Sequence, residues 1–184
     1  GSVGAVSFEV RSATVADAEA IRAIYNVEVS TSTVTFDLVP RTLEEQQAWL
    51  VDRNGAHAVL VAEGDDGHVW GFASLSPFRE RPAYSTTVED SVYVHRDHQG
   101  AGVGKALLTA LVETATNHGF HTVIARIVGG HDASIALHGA VGFEHVGVER
   151  EVGRKHRKWL DVVIMQRMLD TGTSHIGTPS ATGS

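Results

Sequence analysis

At 184 residues, with 42% hydrophobic residues and no cysteine, the chain suits one domain with a full core and excludes a disulfide framework, a thiolate zinc site and a cysteine nucleophile. A formal net charge of −7 argues against a nucleic-acid partner, and no apolar run is long enough to span a membrane. Residues 1–10 lack the basic and apolar regions of a signal peptide, so a soluble, cytoplasmic protein is the expectation, with Gly1-Ser2 read as a cloning scar.

In chain order, Phe8-Glu9-Val10-Arg11 alternates as a first strand. Thr14 with Asp17 caps a helix through Ile21, Ile24 and Tyr25, and the poor helix formers from Ser30 to Thr35 turn the chain into a loop. Thr42-x-x-Glu45 is a capping box for a second helix through Trp49 and Leu50, closed by Asn54-Gly55. Both helices are expected across one face of a sheet. His57 to Ala62 and Val69 to Leu75 read as hairpin strands around Gly64-Asp65-Asp66-Gly67. Thr87 to Val94 is the next strand, and an amphipathic helix follows with Val103, Ala106, Leu107, Ala110 and Leu111 on one face and Gly119 at its stop. Thr122 to Val128 is a buried strand, and because it follows a helix it is expected parallel to Thr87 to Val94. Asp132 to Val141 makes a short helix ending at Gly142, and Glu144 to Val152 with Leu160 to Met168 closes the chain as an antiparallel pair. Residues 1–7 read as a flexible start, 8–169 as the folded domain, and the small polar residues 170–184 as a flexible tail.

Between the strand Thr87 to Val94 and its helix lies His98-Gln99-Gly100-Ala101-Gly102-Val103-Gly104-Lys105. Glycines there let the backbone turn tightly and present N–H groups at a helix N-terminus, where the dipole also favours an anion. A phosphate group is the natural ligand. Neither G-x-G-x-x-G nor G-x-x-x-x-G-K-[ST] fits this loop, which removes the dinucleotide fingerprint and the Walker A loop and leaves a plain strand-to-helix turn as the other reading.

Gln99-x-x-Gly102-x-Gly104 instead resembles the Q/R-x-x-G-x-G/A signature by which the GNAT superfamily of N-acetyltransferases holds the pyrophosphate of coenzyme A. Other segments are similar to one branch, the phosphinothricin and methionine sulfoximine N-acetyltransferases. These are Ile24-Tyr25-Asn26, Thr35-Phe36, Pro77 to Tyr84, Thr87 to Val94, Leu137-His138, Gly142-Phe143, and Gly153-x-Lys155 followed by Trp159 to Val162. The resemblance implies an α/β fold: the GNAT mixed sheet of seven mostly antiparallel strands, with helices on both faces and one parallel pair at the acetyl-CoA site. It implies an acetyl-CoA-dependent N-acetyltransferase acting directly on the amine of a small amino-acid-like substrate and working as a homodimer; no metal is expected, because His118 and His121 straddle a helix end and are not a ligand pair at i, i+4.

An α-amino group is mostly protonated at neutral pH, so such a site must remove a proton. Glu89 is the candidate base, sharing a strand face with Ser91 and Tyr93, while Val88, Asp90, Val92 and Val94 point to the other. A solvated strand carboxylate is the plainer reading, and the Thr-Val-Glu match favours the base. His138 is a second candidate, either a proton relay or amine orienter, or a satisfied core histidine. By resemblance, backbone groups of Val92, Tyr93 and Val94 pair with the pantetheine arm and polarise the acetyl oxygen. Gln99, Gly100, Ala101, Gly102, Val103, Gly104 and Lys105 take the pyrophosphate, with Arg96 and His98 adding charge. Arg79, Arg81, Tyr84 and Phe36 match the substrate pocket, where a guanidinium clamps a carboxylate.

Four positions depart from the branch: Gly130-His131 replaces Pro-Asn, placing His131 where the asparagine meets the pantetheine arm, Gly139 replaces a glutamate and Arg154 an aromatic residue. These departures keep two alternatives open: the same chemistry on an arylamine, polyamine or peptide N-terminus, and a coenzyme A-binding protein without catalysis.

Overall fold

The computed structural model describes residues 7–53 and 55–170. In chain order these form β1 (Phe8–Ser12), α1 (Ala18–Thr31), α2 (Leu43–Asp52), β2 (Val59–Gly64), β3 (Val69–Pro77), β4 (Thr87–Val94), α3 (Val103–Asn117), β5 (Thr122–Val128), α4 (Asp132–Ala140), β6 (Glu144–Lys155) and β7 (Lys158–Met168). One sheet holds all seven strands in the order β1-β2-β3-β4-β5-β7-β6. The β4–β5 pair is parallel, as the intervening helix requires, and the others are antiparallel. The expected scar at the start and most of the expected tail lie outside the described residues, as does Asn54.

Period-two alternation divides the core between the two faces. On one face Ile21, Tyr25 and Val29 of α1 bury against Val61 and Phe72, with Leu50 of α2 joining them. On the other, Val103, Leu107 and Leu111 of α3 bury against Leu75, Val88, Val123 and Ala125. Each fully buried large aliphatic side chain contributes about 1.5–3 kcal/mol, and the two helix layers clamp β2 and β3 from opposite sides.

Local chemistry starts the helices where expected. Asp17 Oδ2 accepts from the Thr14 N–H at 2.8 Å, and Thr42 Oγ1 accepts from the Glu45 N–H at 3.1 Å. Helix α1 continues through Ser30 to Thr31, because the Thr31 hydroxyl donates to the Val27 carbonyl at 2.6 Å and the buried Glu28 and Val29 hold that turn. At the other end of the chain β6 is longer than expected, running to Lys155 across an irregularity between Glu149 and Gly153. His156 and Arg157 then turn the chain with φ of 50° and 63°. Two left-handed residues between paired strands match the backbone twist of a hairpin.

Candidate active site

Along the parallel pair, pairing runs from Thr87–Thr122 to Glu89–Ile124 and ends there. Past that rung the strands part: Asp90 to Val94 and Ala125 to Val128 form opposing walls of a cavity of about 170 Å³. The edge of β4 that faces β5 is therefore open over Val92, Tyr93 and Val94, and its backbone groups can pair with an inserted chain as with an added strand.

This cleft continues into a wider one of about 710 Å³ lined by Gln99, Gly100, Gly102, Val103, Gly104 and Lys105. Gly100 and Gly102 have φ of 81° and 83°, and at both a Cβ would meet no heavy atom within 4 Å, so the backbone itself faces open space. Gly104 has a different role. A Cβ there would lie 3.3 Å from Leu137 and 3.5 Å from Val94, so glycine lets α3 close onto α4 and β4. Val103, Gly104 and Lys105 form the first turn of α3, whose N–H groups have no intrahelical acceptors and point to the helix start. Ala101 sits exposed within the loop. Lys105 lines the cleft, and His98 does so while stacked on Trp70 at 4.1 Å. Arg96 is turned away: it pairs with Glu28 at 3.0 Å and donates to the Thr31 hydroxyl at 2.7 Å.

His131 stands where the two cavities meet, its Nε2 2.9 Å from the Thr33 hydroxyl of the α1–α2 loop. The residue that departs from the Pro-Asn pattern thus bridges the mouth of the cleft.

On the α1 face of β4, Glu89 is half-buried beside the last β4–β5 rung. Burial pushes its carboxyl above the ordinary range; the positive charge of Arg126 opposes that, and Asp90 adds to the rise. Arg126, on the same face of β5, forms an ion pair with Glu149 of β6. Tyr93 follows the same alternation and packs on Phe72 and Tyr25, both at 5.2 Å, with burial raising its phenol.

On the opposite face, Asp90 and His138 form a buried pair, Nε2 to Oδ2 at 2.7 Å. The other ring nitrogen, Nδ1, lies 2.7 Å from the Ser134 carbonyl, which can only accept. With an acceptor facing each ring nitrogen, the arrangement favours the imidazolium. Burial works against that charge, but the Asp90 carboxylate outweighs it and holds the imidazole above its ordinary value. Both ring nitrogens are therefore committed within the protein.

The residues expected to hold the acceptor are dispersed. Arg79, Arg81 and Tyr84 line a separate depression with Glu80 on the β3–β4 loop, Arg79 lying 4.8 Å over Phe78. Phe36 packs the Cζ end of its ring against Gly153, where an added Cβ would come within 2.3 Å of that atom. Lys155 pins that loop, Nζ donating to the carbonyls of Thr35 at 2.8 Å and Asp37 at 2.9 Å. Gly139 faces open space and Arg154 lies over Trp159 at 4.7 Å, so neither departure enters the cleft.

Three cleft residues escaped the sequence reading. Asp90 figured only as a member of the other strand face, and nothing local links it to His138, 48 positions away. Arg126 sits in a run otherwise made of Thr, Val, Ile and Ala, and a lone charge in a buried strand was the available signal. Glu28 lines the cleft from a helix whose polar side gave no such cue. Among the described residues, no three His, Asp or Glu side chains gather to hold a metal ion.

A half-buried carboxylate beside an opened strand edge, with a glycine-rich turn at the next helix N-terminus, suits group transfer from a phosphate-bearing donor. Residues 10–164 match the acetyltransferase (GNAT) domain family, and the chain belongs to that family of acetyltransferases. It is 42% identical to the L-methionine sulfoximine/L-methionine sulfone acetyltransferase of Pseudomonas aeruginosa over 90% of this chain and 96% of that protein. It is 36% identical to the phosphinothricin N-acetyltransferase of Streptomyces coelicolor over 90% of this chain and 99% of that one. Its fold superposes with a TM-score of 0.87 on the crystal structure of a phosphinothricin acetyltransferase from Sinorhizobium meliloti in complex with acetyl-CoA, at 39% identity over 96% of this chain and 95% of that one. The expected fold is thereby established, and with it the expected parallel pair.

Proposed function

We propose that the protein transfers the acetyl group of acetyl-CoA directly to the amino group of a small amino-acid-like acceptor of the phosphinothricin or methionine sulfoximine type, with Glu89 as general base. The observation that carries this reading is the position of Glu89 at the last rung before β4 and β5 part, next to Asp90 and Ser91 on the wall of an opening that leads to the Gly100–Lys105 cradle. Acetyl-CoA supplies an activated thioester. The N–H groups of the cradle and Lys105 bind its pyrophosphate, with Gln99 and His131 along the path to the thioester. The open β4 edge over Val92, Tyr93 and Val94 pairs with the pantetheine arm and offers an N–H to the acetyl oxygen, on which negative charge develops. Glu89 accepts the proton that the ammonium must lose, and its raised carboxyl pKa brings it nearer to the amine it serves.

His138 is assigned a positioning role, because a ring with both nitrogens engaged cannot exchange a proton with substrate without breaking its pair. Phe36, Arg79, Arg81 and Tyr84 are assigned the outer rim of the acceptor site. The resemblance also supports a homodimer, and exposed Val148, Val152 and Trp159 on the β6–β7 arm are the apolar surface available for it.

Turnover of acetyl-CoA by the purified protein against a panel of amines tests the proposal. Amino-acid-like acceptors are expected to outrun arylamines, polyamines and peptide N-termini. Turnover confined to the latter three classes would overturn the acceptor assignment, and tight coenzyme A binding with no turnover on any amine would overturn the activity.

A further inference from the structure

An α-amino acid places its carboxylate next to its amine, separated only by the α-carbon. A group that recognises that carboxylate must therefore stand beside the base that serves the amine. Arg79 and Arg81, with Tyr84, line a depression of their own outside the β4–β5 cleft. Arg126 stands inside it. It is the only lysine or arginine among the described side chains that line the β4–β5 cleft. Glu89 pairs with Ile124 across the sheet, and Arg126 is the next residue of β5 on that same face. The two are close enough for the guanidinium to act on the Glu89 carboxyl.

From this placement we infer that Arg126 binds the α-carboxylate of the acceptor and so sets selectivity for free amino acids; the inference rests on the acceptor class proposed above. The guanidinium is held in position by Glu149 without being locked there. Their side chains remain 32% and 38% exposed although the contacting Glu149 Oε1 is covered, so the guanidinium keeps a solvent-facing side that an incoming carboxylate can share. Guanidinium geometry suits such an exchange, because its planar fork of N–H donors can hold one carboxylate from the side while releasing another. A fixed cation beside the base also disfavours acceptors bearing further positive charge, such as polyamines. The ammonium of an amino acid escapes this penalty because its own carboxylate meets the cation first.

The test compares an L-α-amino acid acceptor with its methyl ester, which keeps the amine and removes the anionic charge. For Arg126→Met, the ratio of kcat/KM for the free acid to that for the ester is expected to fall about 10- to 100-fold, the loss typical of a charge-assisted hydrogen-bonded pair. Arg126→Lys is expected to recover part of that ratio. Glu149→Gln keeps the cation while removing its protein partner, and its ratio is expected to hold or rise. An unchanged ratio in Arg126→Met, or an equal fall in Glu149→Gln, would overturn the assignment by reducing Arg126 to a sheet-holding residue. Wild-type protein that acetylates the ester but no free amino acid would overturn both this inference and the acceptor class. Wild-type activity on free amino acids combined with an unchanged ratio in Arg126→Met would overturn the inference alone.

Discussion

Glu89 sits at the point where a strand pair stops being a pair, and its chemistry follows from that location. Below the rung it is flanked by paired backbone; above it, the walls separate around the cleft. Burial raises its carboxyl while Arg126 limits the rise, so the proposed base is lost by protonation at a pH above the ordinary carboxylate value. As pH falls through that raised value, kcat/KM for the acceptor is expected to fall with it, giving an acid limb above about pH 4.3; a limb at or below the free-glutamate value would contradict the placement of the base. Gly102 works through its backbone. With φ at 83° and no atom near an added Cβ, its substitution is opposed by conformation rather than by a clash inside the protein. Gly102→Val is expected to weaken coenzyme A binding by about tenfold or more, because a β-branched residue resists the left-handed region and would also screen the loop's N–H groups. Calorimetric titration checks this, and an unchanged affinity would remove the loop from the cofactor site.

Among the elements, two polar anchors hold the pieces that frame the cleft. Asp17, at the start of α1, accepts from the Thr14 N–H at 2.8 Å and from two Arg11 nitrogens at 2.8 and 2.9 Å. The hydrogen bonds from Arg11 lead in holding its carboxyl below the usual range, against the opposing effect of burial. A depressed carboxyl stabilises the fold above the unfolded-state pKa and loses that contribution as pH drops toward the folded value. Asp17→Asn is therefore expected to lower Tm at neutral pH, with the gap from wild type shrinking progressively below about pH 4; a gap independent of pH would contradict it. Lys155 holds the loop that carries Phe36 through the Thr35 and Asp37 carbonyls. Lys155→Met keeps the aliphatic stem but removes both donors, and is expected to cost about 1–3 kcal/mol in denaturant unfolding and to raise the acceptor KM more than the acetyl-CoA KM. Equal effects on both KM values would separate that loop from the acceptor. Where local rules sufficed, the elements were legible from residues: the Thr42 cap, the Gly119 stop and the alternation over Thr87 to Val94 all stand in the fold. The β6–β7 turn was not, because His156 and Arg157 occupy left-handed positions that sequence reading reserves for Asn-Gly, and the strand pairing around them decides the matter.

For the whole molecule, legibility follows contact distance along the chain. The cradle and the Glu89 strand are contiguous in sequence and were readable together, whereas Arg126 with Glu149, and Asp90 with His138, meet only when β5, β6 and α4 close around β4. No spacing rule encodes those meetings. The same assembly leaves Trp159 at 61% and Val152 at 53% exposed on the β6–β7 arm, which supports association through that surface. Light scattering is expected to give twice the monomer mass, reduced by Trp159→Glu, and a monomer at micromolar concentration would contradict the proposed homodimer. The account rests most heavily on Glu89 as the group that takes the proton. Steady-state turnover of Glu89→Gln, at saturating acceptor and across pH, tests it most directly. The prediction is a fall of about 10²–10⁴ in kcat with acetyl-CoA affinity preserved, and turnover equal to wild type at every pH would contradict it.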